Sequence, residues 1–203
     1  MRRSYGLLFA TIFLITGCST MKPQDFANSE PRLVVEDYFA GRTRAWGLFE
    51  DRFGNLRRQF VVDIDGRWDG RELVLDEHFT YADGERDRRV WRIVKKDEHT
   101  YEGRADDVVG TAAGVAYGNA LNWQYDMDLK VGDKTWRVRF DDWMFLQADG
   151  VLINRARVSK FGLEIGEVTL FFRKVTDAGS VKTADRVSAL AYDSVINLRA
   201  RGK

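Results

Sequence analysis

The segment RFDDWMFLQADGVLINRARVSKFG, residues 139–162, carries the densest set of side chains that could do chemistry. Asp141 and Asp142 are adjacent in a stretch that reads as a β-strand, and Asn154 and Arg155 follow on a second such stretch. Two carboxylates can serve as a catalytic pair only if they flank the same bond. Because neighbouring residues of a strand point to opposite faces, these two aspartates cannot form that pair by themselves.

The face of this strand that holds Asp142 is the more apolar one, and we expect it to point into the protein. Its members are Trp136, Val138, Phe140, Asp142 and Met144. A buried Asp142 needs a partner because an unpaired buried charge is costly. Arg155 or Arg157 across the following hairpin could supply it. The pair would either fix the strand register or take part in binding a ligand, and the sequence leaves both interpretations open.

A second buried acid is expected at Glu77, which interrupts an apolar face between Leu75 and Phe79. It could meet Arg92, and an inward arginine can hold the carboxylate head group of a lipid by paired hydrogen bonds. An internal salt bridge is the alternative. The residues predicted to contact a ligand are Glu77, Arg92, Trp123, Trp136, Phe140, Asp142, Asn154 and Arg155.

Other chemistries find little support. Only two histidines and one cysteine exist, too few for a structural zinc set. The segment DIDGRWDG, residues 63–70, fails the spacing of a calcium loop, and there is no G-x-S-x-G motif. We therefore predict no metal, no cofactor and no enzymatic activity. The near-neutral charge also makes nucleic acid an unsuitable partner.

Residues 32–174 contain a succession of segments with alternating apolar and polar residues, separated by turn residues such as Asp-Gly pairs. This pattern predicts an all-β domain, an antiparallel meander barrel of about 8–10 strands. The segment 108–121 has glycines at 110, 114 and 118. We expect it to pack over one end of the barrel as a short helix or loop, or to act as a lid.

The N-terminus has the features of a lipoprotein signal peptide over residues 1–17. Arg2 and Arg3 precede the apolar run GLLFATIFLI, and Ile15-Thr16-Gly17-Cys18 resembles the bacterial lipobox. That resemblance implies acylation of Cys18, the only cysteine, and residues 18–31 then form a flexible tether. Ser19 favours the outer membrane, where the protein would face the periplasm. Loss of Arg2 and Arg3 leaves a net charge of about −1.

The last residues, 175–203, differ in character from the strands. A linker leads into a segment in which Val187, Leu190 and Val195 recur at helical spacing. This segment is either a C-terminal amphipathic helix or a polar tail.

Several long motifs resemble one known family. AWGLFEDRFG at 45–54, RRQFVVDIDGRWDG at 57–70 and the segment 141–174 are similar to a Gram-negative lipoprotein family catalogued as domain of unknown function 3833. The resemblance covers 38–173 and implies a lipocalin-like barrel on a lipid anchor. It implies no catalytic residues.

Two functions are therefore compatible with the sequence. The barrel could bind or carry a small apolar or amphipathic ligand such as a fatty acid or another lipid. Alternatively, it could be a structural or assembly lipoprotein with a packed interior and a protein partner that the sequence does not identify. The volume inside the barrel distinguishes the two, because a binding barrel needs a cavity lined by aromatic residues and a few polar groups.

The anchor can be tested at Cys18. We expect Cys18→Ser to remove the acylated thiol and to move the protein from the membrane fraction to the soluble fraction. Metabolic labelling with a radioactive fatty acid checks this directly. Continued labelling of the variant would show that the lipobox interpretation is wrong.

Overall fold

The computed structural model describes residues 21–131 and 133–176. Ten strands follow one another along the chain, and they form one antiparallel sheet. They are β1 (Gly41–Asp51), β2 (Leu56–Trp68), β3 (Glu72–Tyr81), β4 (Arg86–Lys95), β5 (Thr100–Arg104), β6 (Val108–Tyr117), β7 (Ala120–Val131), β8 (Lys134–Leu146), β9 (Leu152–Lys160) and β10 (Leu163–Lys174).

Each strand pairs with its neighbours in sequence, and β1 also pairs with β10 to close the barrel. The closing register joins Thr43 to Lys174 at one end and Asp51 to Gly166 at the other. Closure gives every strand two partners, so no sheet edge is left unpaired. The predicted all-β meander barrel is thereby confirmed.

Two short helices precede the barrel, a 3₁₀ helix η1 (Pro23–Phe26) and an α-helix α1 (Val35–Phe39). Helix η1 lies in the segment 18–31 that was predicted to be a flexible tether, and its Phe26 packs against Phe145 on the barrel, so this part of the segment is not a free tether. Helix α1 covers one end of the barrel. Phe39 packs edge-on against Phe172 with ring centroids 5.7 Å apart, and the Tyr38 hydroxyl donates to the carbonyl of Phe172 at 3.1 Å. Glu36 accepts a hydrogen bond from the Tyr101 hydroxyl at 2.9 Å and pairs with Lys95. We call this the closed end of the barrel.

Within the described residues, neither helix is long and apolar enough to cross a membrane. The signal and acylation site predicted over 1–18, and nearly all of the C-terminal segment predicted over 175–203, lie outside the described residues.

The structure corrects the prediction for the glycine-rich segment 108–121. Residues 108–117 form strand β6 rather than a helix, loop or lid. A side chain on the inner face at Gly114 would collide with the Trp123 ring, and one at Gly103 would lie 2.5 Å from it. The glycines therefore allow the indole of Trp123 to lie flat against β5 and β6.

A close contact between the backbones of α1 and β2 also explains Gly66. The pair Asp65-Gly66 had suggested a turn at this position. Gly66 instead lies inside β2, and a methyl group there would collide with the carbonyl oxygen of Phe39. The absence of a side chain thus lets α1 reach the barrel wall. The Asp-Gly pairs ending at Gly70, Gly84 and Gly150 do occupy turns, with positive φ.

We expect Gly114→Ala to destabilise the protein by about 1–3 kcal/mol, because the added methyl group displaces the Trp123 ring. In a Trp123→Leu background, the same change should cost much less. Urea unfolding followed by circular dichroism gives the coupling free energy of the double-mutant cycle. Additive losses would mean that the glycine is required for another reason.

Candidate ligand-binding cavity

The barrel encloses a cavity of about 520 Å³. Its lining runs from Val35 and Phe39 at the closed end to Arg57, Arg58 and Lys130 at the opposite strand ends. Arg57 and Lys130 are also exposed to solvent. The cavity is therefore accessible at the end opposite α1, which we call the mouth. Its size lies within the range of small-molecule sites in proteins.

Stacked aromatic side chains make up much of the wall. The Tyr125 and Phe140 rings lie nearly parallel, 5.0 Å apart, and Trp91 meets Tyr125 edge-on at 5.3 Å. Phe60 packs against Phe79 at 5.9 Å nearer the mouth. Such rings offer a large apolar contact surface with few rotatable bonds.

One polar group inside the barrel lies on β3 and β4, where Glu77 and Arg89 are directly paired in register. The Arg89 guanidinium donates through Nε and Nη2 to Asp107 at 2.9 and 2.8 Å, while its Nη1 lies 4.0 Å from Glu77 Oε2. Burial raises the pKa of Glu77 to about 7, although the nearby charge of Arg89 acts in the opposite direction. Arg89 is thus already engaged by carboxylates.

A second polar group lies on β8 and β9 and consists of Asp142 and Asn154. Their relative exposures are only 5% and 2%, and both line the cavity. Four buried side-chain oxygens lack a hydrogen-bond partner among the described residues, and two of them are Asp142 Oδ1 and Asn154 Oδ1. Half of the unpartnered oxygens therefore belong to this one site.

Burial raises the pKa of Asp142 to about 7, and the neighbouring Asn154 side chain and the Arg89 charge partly offset the effect. The charges inside the barrel do not compensate for this burial. Arg89 is the cation that faces Glu77, Asp107 and Asp142, and its short contacts are with Asp107. Glu77 and Asp142 therefore keep their protons up to about pH 7, well above the range of an ordinary carboxyl group.

The structure brings together five of the eight residues predicted to contact a ligand. Glu77, Trp123, Phe140, Asp142 and Asn154 all line the cavity. Trp136 does not line it. It lies half-buried toward the mouth, with the Lys160 ammonium 3.8 Å from its ring centroid.

The inward positions expected for Arg92 and Arg155 are wrong, since both side chains point outward. The Arg92 side chain is 61% exposed and binds Glu72 at 3.0 Å, while Arg155 is 62% exposed and binds Glu167 at 2.8 Å. Each adjoins inward residues on its own strand, and alternation sends it to the other face. Arg157, the other proposed partner of Asp142, is exposed for the same reason.

Arg89 is the inward arginine that the sequence analysis missed. It shares a face of β4 with Trp91 and Ile93, both buried, and this two-residue spacing was the available signal. It contacts Glu77 in place of the expected Arg92.

A closed antiparallel meander barrel with an internal cavity defines the lipocalin-like class of folds. A solved structure agrees with this assignment: the S-type phycobiliprotein lyase CPES from Guillardia theta has a TM-score of 0.52 and 9% sequence identity. The similarity covers 79% of this chain and 100% of the lyase. The profile of the family of proteins of unknown function DUF3833 matches residues 12–174, and the chain belongs to that family. No curated protein matches the chain.

The raised pKa of Asp142 predicts how stability depends on pH. In the folded protein the carboxyl holds its proton to about pH 7, whereas the ordinary value is 3.8. This term therefore stabilises the folded state most at low pH and is lost as the pH rises through about 7. Between pH 5 and 8, the free energy of unfolding of the wild type should fall by at least about 1 kcal/mol more than that of Asp142→Asn, because each pKa unit corresponds to 1.36 kcal/mol.

Chemical unfolding at several pH values measures this difference. The outward Asp126→Asn on β7 is the matched control and should leave the pH dependence as in the wild type. If the stability of Asp142→Asn depends on pH as steeply as that of the wild type, Asp142 is not the buried acid that causes this dependence.

Proposed function

We propose that the barrel binds one small, largely apolar or amphipathic molecule, of the lipid class, in its interior. The observation that carries this proposal is the cavity of about 520 Å³, lined by aromatic and aliphatic side chains with a few polar groups. A structural lipoprotein with a packed barrel, the alternative function, would need interior side chains that fill this space.

We further propose that the protein acts as an acylated lipoprotein of the cell envelope, held at the outer membrane and facing the periplasm. The support is the sequence Ile15-Thr16-Gly17-Cys18 together with the contacts of the segment that follows it. Phe26 packs on the outside of β8 against Phe145, 5.3 Å between centroids, and Phe145 lies near the closed end. Cys18 is three residues before Met21, so an anchor at Cys18 would lie at most about 11 Å from Met21. The anchor would thus attach to the closed-end half, away from the mouth.

The outward position of Arg92 changes which head group the interior would receive. A fatty-acid carboxylate cannot be held by Arg92, whose side chain lies on the outer surface with Glu72. Most of the binding free energy of a lipid would therefore come from burial of its apolar chain against Trp91, Tyr125 and Phe140.

Binding can be tested with diphenylhexatriene, a fluorescent hydrocarbon, and with a fluorescent fatty acid, each titrated into the purified full chain. We expect saturable one-to-one binding of the hydrocarbon in the micromolar range, roughly −8 kcal/mol. Ala156→Phe should weaken it by about tenfold or more, because Ala156 is buried and lines the cavity.

Ala113→Phe is the matched control. Ala113 is exposed on β6, so the same added ring should leave affinity unchanged. Arg92→Ala should also have no effect. If no probe binds saturably, and native mass spectrometry of the detergent-extracted protein finds no co-purifying lipid, the structural alternative replaces this proposal.

A further inference from the structure

The cavity holds two buried hydrogen-bond acceptors that find no donor among the residues that the structure describes. These are Asp142 Oδ1 and Asn154 Oδ1, on the inner faces of β8 and β9. We infer that this pair is the head-group site, and that it takes an amphiphile whose polar end is a neutral or cationic hydrogen-bond donor, an alcohol or an amine. This inference rests on the proposed function and assigns the ligand's chemical class.

Leaving a buried acceptor without a donor is costly. An unsatisfied buried polar group costs about 1–3 kcal/mol, and more when it is charged. Asp142 pairs in register with Trp123 and Ala156, and Asn154 with Met144 and Leu170. Of these four neighbours only Trp123 carries a strong donor, the indole N–H, and it forms no hydrogen bond to either unpartnered oxygen. An ammonium group entering the cavity has three N–H donors and could serve both oxygens, and a hydroxyl group could donate to one of them.

A carboxylate head group suits the same site poorly. It would bring further acceptors and a negative charge into an interior where burial already disfavours the charged forms of Asp142 and Glu77. The interior cation that could offset this charge, Arg89, already donates two hydrogen bonds to Asp107 and one to the Met127 sulfur at 3.5 Å. The charges around Asp142 and Asn154 therefore disfavour an anionic head group at this site.

The position of the pair also sets the orientation of the ligand. Asn154 is two residues from Leu152, where β9 begins near the closed end, and Asp142 is four residues from the end of β8 on the same side. Phe49, Phe60, Phe79 and Leu129 line the cavity toward the mouth. A bound amphiphile would therefore place its head group deep in the barrel, with its chain extending past the aromatic wall to the mouth.

The test is a displacement experiment on the purified full chain with bound diphenylhexatriene, which has no polar atoms. The competitors are dodecan-1-ol, dodecylamine and dodecanoate, below their micelle-forming concentrations, at about pH 7.5. We expect the alcohol and the amine to displace the probe at concentrations about tenfold or more below that of dodecanoate.

Asp142→Leu and Asn154→Leu remove the acceptors one at a time while roughly preserving side-chain volume. Each should weaken the alcohol and the amine about tenfold and leave the affinity for diphenylhexatriene as tight as in the wild type or tighter. Asp126→Leu on the outer face is the control and should change none of these affinities.

The outcomes separate this inference from the proposed function. Failure of diphenylhexatriene to bind would contradict the proposed function itself. Binding of the probe with dodecanoate as the best competitor would overturn the inference alone, as would a preference for alcohol that survives both leucine variants. Because the wild-type comparison needs no variant, a variant that fails to fold does not prevent a decision.

Discussion

The pairing of β1 with β10 is the interaction on which the interior depends. It fixes Ala45 opposite Phe172 and Gly47 opposite Leu170, and so sets the register of a sheet that has no edge to relax. A slip of one residue in any strand would exchange its inner and outer faces, which closure and the buried core both oppose. The strand parity that buries Leu75 and Phe140 therefore also forces Glu77 and Asp142 into the barrel.

These acids act against the stability that closure provides. Each carries a raised pKa because burial penalises its charged form, and neither receives a short contact from Arg89, whose two shortest hydrogen bonds go to Asp107. Apolar residues of similar size at such positions are often neutral or stabilising. Buried acids that nearby cations compensate only in part are a typical feature of sites that bind or react, where stability is lowered for the sake of function.

Alternation along the strands predicted much of the site, and its incomplete use explains the errors. The inner face of β8 and the apolar face around Glu77 follow directly from residues two apart. Arg92 and Arg155 were assigned by charge instead, although their inward neighbours Trp91 and Asn154 exclude them by the same rule. Strand β6 was missed for a different reason. Its Gly114 satisfies a contact with Trp123 on the next strand, and a contact of that kind leaves no periodic signal in the segment itself.

The cavity could not be predicted because the number of inward aromatic residues does not determine how they pack. Tyr125 and Phe140 are register partners on β7 and β8, and their rings stack along the wall instead of across the interior. Gly103 and Gly114 likewise let Trp123 lie against the sheet. Large side chains thus occupy the wall and leave space at the centre. The same arrangement keeps the opposite wall out of hydrogen-bonding reach of Asp142 and Asn154, so the space and the unpartnered acceptors have one common origin.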